Sequence, residues 1–244
     1  MCSAASSPRP YDFMPTSLLA DVGRRMITAF VRRAASEVPA GSLVLDAAAG
    51  EAAYRSLFSH CRYVAIDLGI GDPRWSYRGI DAFADLVQMP FSQGSFDAVL
   101  LTEVLEHSFE PLAVLKECRQ VLRHGGTLFI TVPMAHELHQ EPHDYFRYTS
   151  HALDRLLRES GFVSIRVEPM GGLFTRWAYE LPRVLDTLPG SGLLRGSLSA
   201  RGLLLFPLRM FFRLILRPMQ RLLLFLERFD SAKRDPLGWT VVAR

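Results

Sequence analysis

Apolar positions across residues 16–38 recur with helical spacing: Leu18, Leu19, Val22, Met26, Ile27, Phe30 and Val31 share one side, while Arg24, Arg25, Arg32 and Arg33 fall elsewhere. Pro39 and Gly41 end that helix, and the residues before it, rich in Ser, Pro and aromatics over 1–15, read as an arm. Short apolar runs then alternate with helical patterns. Residues 42–46 predict a strand, 47–50 a tight turn of small residues, and the stretch from about Glu51 a helix. Strands are expected at 63–67, around 80–84, at 96–101 and at 127–132. Between the last two, residues 111–122 predict a helix with Pro111 in its first turn and Gly125-Gly126 as its stop. A helix over 150–160, capped by Thr149 or Ser150 and ended by Gly161, leads to a strand at 163–167. Residues 171–237 interrupt the alternation before a final strand at 239–243, which can pair with 163–167.

Alternation of this kind predicts an α/β protein: a Rossmann-like, doubly wound, seven-stranded and mostly parallel sheet, with an α-helical insertion before the last strand. The expected divisions are 1–39 (arm and helix), 40–170 (core), 171–237 (inserted segment) and 238–244 (last strand of the core sheet). With 244 residues, 49% of them apolar and 22% charged, the chain can build one sizeable core, and a disordered or low-complexity class is excluded. The net charge of +3 hides two populations. Residues 193–234 hold nine Lys/Arg against two acids, +7, so the remainder of the chain sums to −4. Cys2, Cys61 and Cys118 form neither a disulfide framework nor a paired metal-ligand pattern, and the N-terminus lacks an apolar secretory stretch. A cytoplasmic protein, possible at the inner face of the membrane, is the expectation.

The first strand ends in Asp46, and Ala47-Ala48-Ala49-Gly50 lets bare backbone approach a ligand at the turn. The second strand ends in Asp67, where a carboxylate can accept from both hydroxyls of a ribose. Together these point to an adenosine-bearing cofactor. A nicotinamide dinucleotide fits less well, since its fingerprint has Gly rather than Asp at the first strand end.

The run from Val44 to Ala52 resembles the first motif of class I S-adenosylmethionine-dependent methyltransferases, an Asp-x-Gly-x-Gly-x-Gly pattern. Residues 63–67 are similar to the second motif, and Asp85-Leu86 with the following Met89-Pro90-Phe91 to the segment flanking adenine. Residues 96–107 and 115–126 resemble the fourth strand, helix and fifth strand of the type 11 branch. The resemblance covers roughly residues 40–170. It implies the class I methyltransferase fold and S-adenosylmethionine as cofactor. Asp46, Ala48 and Gly50 would surround the methionine portion, Asp67 the ribose, and Asp85 with Leu86 the adenine, while Glu103 to His107 would line the floor near the sulfonium. Ala48 and Ala52 stand where the family usually has Gly. If either needs a positive φ, the cost is on the order of 1–2 kcal/mol.

After the fifth strand comes a polar stretch with His136, His139 and His143 among Glu137, Glu141 and Asp144. It shows no helical His-Glu-x-x-His arrangement and no Cys, and Pro142 breaks it, so no metal is expected there. His139, Pro142, Asp144, Tyr145, Arg147 and Thr149 resemble a segment of type 11 relatives associated with bacterial cell-surface glycans. That implies O-methylation of a glycan or lipid-linked glycan, with His139 and His143 as candidate bases and Asp144, Tyr145 and Arg147 as acceptor contacts. Asp144 and Arg147 can instead simply pair to hold the loop. A quinone, lipid or other small-molecule acceptor is the alternative within the class, and a catalytically silent, membrane-associated binding module the alternative outside it.

Residues 202–226 contain 17 apolar side chains and four arginines, Arg209, Arg213, Arg217 and Arg221, at i,i+4 spacing. A spanning helix would place each charge in hydrocarbon at about 2.5–3.5 kcal/mol. The readings left are an interfacial helix on an anionic membrane surface, a lid, or a homodimer contact. Nucleic acid is disfavoured, because aliphatic residues rather than stacking aromatics lie between the arginines.

Overall fold

Strand-period residues of the core assemble into one sheet of seven strands in the order β3-β2-β1-β4-β5-β7-β6. The strands are β1 (Leu43–Ala47), β2 (Arg62–Asp67), β3 (Ala82–Phe83), β4 (Phe96–Thr102), β5 (Leu122–Pro133), β6 (Ile165–Met170) and β7 (Gly238–Ala243). The computed structural model describes residues 21–71, 74–187 and 200–244. The expected arm and the start of the first helix lie outside the described residues. β1 to β5 pair in parallel, and β7 enters antiparallel between β5 and β6. The last strand thus pairs with the strand before the insertion, as its sequence allows.

Side chains alternate between the two faces of the sheet. Val44, Ala98, Leu100 and Phe129 pack on one face with Phe30, Val31, Ala34 and Ala35 of helix α1 (Val22–Glu37). Leu45, Val99, Leu101, Leu128 and Ile130 pack on the other with Leu115 and Cys118 of α2 (Pro111–Val121) and Leu153 and Leu157 of α3 (Ser150–Glu159). Thr149 caps α3, accepting from the Ala152 amide at 3.2 Å.

Two local expectations fail for backbone reasons. The helix expected near Glu51 is a series of turns followed by a 3₁₀ turn at Arg55–Phe58. Gly50 at φ 56° and Ala52 at φ 54° place left-handed backbone where an α-helix would have to propagate. Gly125-Gly126 do not stop α2. The helix ends at Val121, and β5 starts at Leu122 opposite Phe96, with a register shift between Phe96 and Ala98.

By its internal contacts the chain divides into two units. One is Met26–Met170 with Gly238–Arg244, and it contains the whole sheet; the other includes Gly171–Leu237. In the second, α4 (Leu173–Thr187) and α5 (Ala200–Leu226) pack together. Leu216 meets Leu181 and Phe212, and the Gln220 side-chain amide donates to the Ala178 carbonyl at 2.9 Å. Asp230 and Glu227 accept from the amides of Leu173 and Thr175, which holds the start of α4. Among the described residues no helix is long and apolar enough to cross a membrane.

Candidate active site

The strand order reverses at β1, with β2 on one side and β4 on the other, and open α/β sheets bind ligands at the carboxyl ends of the strands at such a point. Asp46 at the end of β1 is 1% exposed and accepts a hydrogen bond from the Tyr63 hydroxyl of β2. Burial pushes its carboxyl up to about 7, against the pull of that hydroxyl. The turn that follows is shaped by backbone: Ala48 at φ 62°, Gly50 at 56° and Ala52 at 54° are all left-handed. Both alanines therefore carry the strain that their sequence positions made conditional. A side chain at Gly50 would also approach the Trp75 ring, 3.4 Å from the Cβ position.

Asp67, at the end of β2, ties two glycine turns together. One carboxylate oxygen accepts from the Gly50 amide at 2.8 Å and the other from the Gly69 amide at 2.7 Å. Each oxygen keeps a second lone pair for a ligand hydroxyl. Asp85 is exposed and accepts from the Val87 amide at 3.1 Å, next to buried Leu86. Asp97 is structural: it receives the Leu43 amide and pairs with Arg123.

Beyond β4, Glu103 has φ 53° and its amide donates to the Thr131 carbonyl at 2.9 Å. The loop after β5 docks onto this segment. The amides of Tyr145 and Phe146 donate to the Glu106 carbonyl, and the Tyr148 hydroxyl donates to the Leu105 carbonyl at 2.9 Å. Asp144 and Arg147 form a bidentate pair at 2.6 and 2.8 Å, and Arg147 also donates to the carbonyls of His136, Glu137 and Phe146. The Arg147 guanidinium holds the Asp144 carboxyl well below the usual carboxylate range. Both side chains are committed to fixing the loop. Asp144 further accepts from the His139 amide at 2.9 Å, and His139 Nδ1 is 3.0 Å from the Glu137 carbonyl. His107 Nδ1 is 2.6 Å from the His143 carbonyl, and His143 Nδ1 meets the exposed Tyr145 hydroxyl at 3.0 Å. Burial lowers the His107 pKa, favouring the neutral ring, and burial together with Glu103 raises that of Glu106.

Residues 45–130 match the family model described as Methyltransferase domain. Over 90% of this chain the fold is similar to a SAM-dependent methyltransferase from Archaeoglobus fulgidus (TM-score 0.56, 14% identity, 93% of that chain). The core has the class I methyltransferase fold. A Haemonchus contortus phosphoethanolamine N-methyltransferase 2 in complex with S-adenosyl-L-methionine is also similar in fold (TM-score 0.57, 16% identity, 90% of this chain and 52% of that one). In sequence, 115 residues are 30% identical to the polyketide synthase ThaQ of Burkholderia thailandensis, covering 40% of this chain and 6% of that protein. A stretch of 38 residues is 53% identical to a ubiquinone biosynthesis O-methyltransferase of Xanthomonas campestris, covering 16% of each. The chain thus spans a small fraction of the lengths of these curated relatives.

Within this fold the structure brings Asp46, Ala48, Gly50 and Asp67 to one turn system, and Glu103, His107, His139, His143, Asp144, Tyr145 and Arg147 to the loops after β4 and β5. Sequence reasoning missed Tyr63, whose partner lies on the neighbouring strand; Glu106 it included only within the stretch Glu103 to His107, with no role of its own. An acid between apolar Val104-Leu105 and His107 was the available signal for Glu106.

Proposed function

We propose that this methyltransferase domain binds S-adenosylmethionine and transfers its methyl group to an oxygen of a glycan or lipid-linked glycan. The observation that carries the cofactor is the Asp67 carboxylate bridging the Gly50 and Gly69 amides at the strand-order reversal, inside the matched residues 45–130. In-line transfer needs the acceptor held against the sulfonium and its proton removed as the bond forms; a neutral imidazole of His139 or His143 can receive that proton. The likeness to the Xanthomonas ubiquinone biosynthesis O-methyltransferase supports a second acceptor class, a quinone-type phenol. Calorimetric titration with S-adenosylmethionine and S-adenosylhomocysteine tests the cofactor. Wild type should bind both, and Asp67→Ala should weaken binding about 100-fold. No binding by wild type would leave a silent module.

For location, the proposal is that α5 docks on an anionic membrane surface. Phe211, Leu214, Ile215, Leu222 and Phe225 are all exposed and fall on one stripe at helical spacing, with Arg217 and Arg221 along its flank. Wild type should co-sediment with vesicles containing anionic lipid, and a variant with Arg209, Arg213, Arg217 and Arg221 changed to Glu should not. Failure of wild type to sediment would favour a lid or a dimer contact for this face.

A further inference from the structure

The loop after β4 holds lone pairs on Glu106 and His107 that the proposed methyl transfer leaves unused. Glu106 is 0% exposed, and neither carboxylate oxygen has a hydrogen-bond partner. His107 Nε2, also buried and without a hydrogen-bond partner, lies 3.7 Å from Glu106 Oε1. The other ring nitrogen faces the His143 carbonyl, and a carbonyl only accepts. Nδ1 therefore carries the hydrogen, and Nε2 of the neutral ring presents its lone pair. His139 is set in the same way. Its Nδ1 faces two acceptors, the Glu137 carbonyl at 3.0 Å and the Asp144 carboxylate at 3.3 Å, which leaves Nε2 as the open nitrogen. The two rings stand edge to face with centroids 4.6 Å apart. One ligand atom from each of Glu106, His107 and His139 lies within 4.8 Å of the other two.

Convergent lone pairs in a partly buried pocket are unfavourable unless a proton or a positive ion sits among them. We propose that Glu106, His107 and His139 bind a divalent transition-metal ion of the Zn²⁺ or Mn²⁺ class, and that this ion holds the acceptor oxygen. Two imidazoles and one carboxylate suit such ions, whereas Ca²⁺ and Mg²⁺ favour all-oxygen shells. Each histidine also has the outer support that ligating histidines show, its remaining N–H fixed by a carbonyl or a carboxylate. Arg147 holds the Asp144 carboxylate in turn. With three protein ligands, coordination positions remain for a hydroxyl or for two neighbouring oxygens of a sugar.

The ion's role rests on the methyl-transfer reading; its binding does not. A bound hydroxyl is acidified by the ion. In the transfer, the oxygen–carbon bond forms as the sulfur–carbon bond breaks. The bonding pair stays on sulfur, converting the sulfonium to a thioether, and the hydroxyl proton leaves to His143. His139 is then a ligand rather than the base.

The test uses the full chain, stripped with chelator and free of methyl donor, titrated with ZnCl₂ by calorimetry and with MnCl₂ by electron paramagnetic resonance. One equivalent should bind. His107→Ala and His139→Ala should each weaken binding by about 100-fold or more, and Asp144→Asn by about 10–100-fold. His124→Ala, an exposed histidine elsewhere, should leave it unchanged. Glu106→Gln keeps the shape of the buried side chain if the larger truncations fail to fold, and should also weaken binding. No binding by wild type, or binding that survives His107→Ala and His139→Ala, overturns the site. S-adenosylmethionine binding by a protein that takes no ion would remove the site while keeping the methyl-transfer reading. Ion binding without cofactor binding would overturn the role assigned to the ion.

Discussion

At the end of β1 the backbone does the shaping, whereas in the loops after β4 and β5 side chains do. The first turn relies on left-handed residues at 48, 50 and 52 and on amides received by Asp67. The histidine pocket relies on Arg147, Asp144, His139, His107 and Glu106, all of them ionisable. A ligand met by backbone must be recognised by shape and by a few fixed hydrogen bonds. One met by ionisable side chains can exchange protons or charge. The difference accords with the roles proposed above, binding for the first region and chemistry for the second.

Asp144→Ala should have the largest effect on this contrast. It removes both bonds to Arg147 and the support of the His139 amide, so we expect about 2–3 kcal/mol of destabilisation at pH 7, read from urea midpoints. The Asp144 pKa is depressed in the folded state, so its contribution is complete above the ordinary value of 3.8 and is lost as pH falls below it. The gap between wild type and variant should therefore close in acid. A gap below about 0.5 kcal/mol at pH 7 would mean that the loop is held by its backbone, and the contrast would collapse.

Asp46 is the exception within the backbone-built region. Unfolded, it ionises near 3.8; folded, it keeps its proton up to about 7. Its contribution is complete below pH 3.8 and is lost as pH rises toward 7, with a slope of at most about 1.4 kcal/mol per pH unit. Stability of Asp46→Asn should lack that fall, and parallel curves for variant and wild type between pH 4 and 7 would rule out a protonated Asp46. The smallest effect belongs to strain. Ala48→Gly and Ala52→Gly should each raise stability by about 0.5–1 kcal/mol in thermal unfolding, since both positions are left-handed. A loss instead would show that the methyl groups contribute packing that outweighs the backbone cost.

Much of the core was legible because its signals are local. Alternation of apolar runs with helical patterns marks strands and helices, and Asp46 and Asp67 stand where strands end. The helix expected near Glu51 and the glycine stop after α2 failed because residue type does not report φ. Alanine occupies left-handed positions at 48 and 52, while Gly126 sits inside β5. In the polar stretch, Asp144 and Arg147 were read both as acceptor contacts and as a pair holding the loop. In the fold each is occupied by the other.

The sequence by itself determined the order of strands and helices along the chain, the small-residue turn after β1 and the separation of an acidic body from a basic, apolar segment. Each follows from neighbouring residues, through periodicity, turn chemistry and charge. Only the tertiary structure decided which side chains share a pocket. Parallel pairing of β4 with β5 brings the loops after both strands to one edge. There the carbonyls of Glu137 and His143 face Nδ1 of His139 and His107, and both rings come within reach of Glu106. Convergence of that kind depends on long-range pairing and buried hydrogen-bond geometry, and spacing along the chain carries neither.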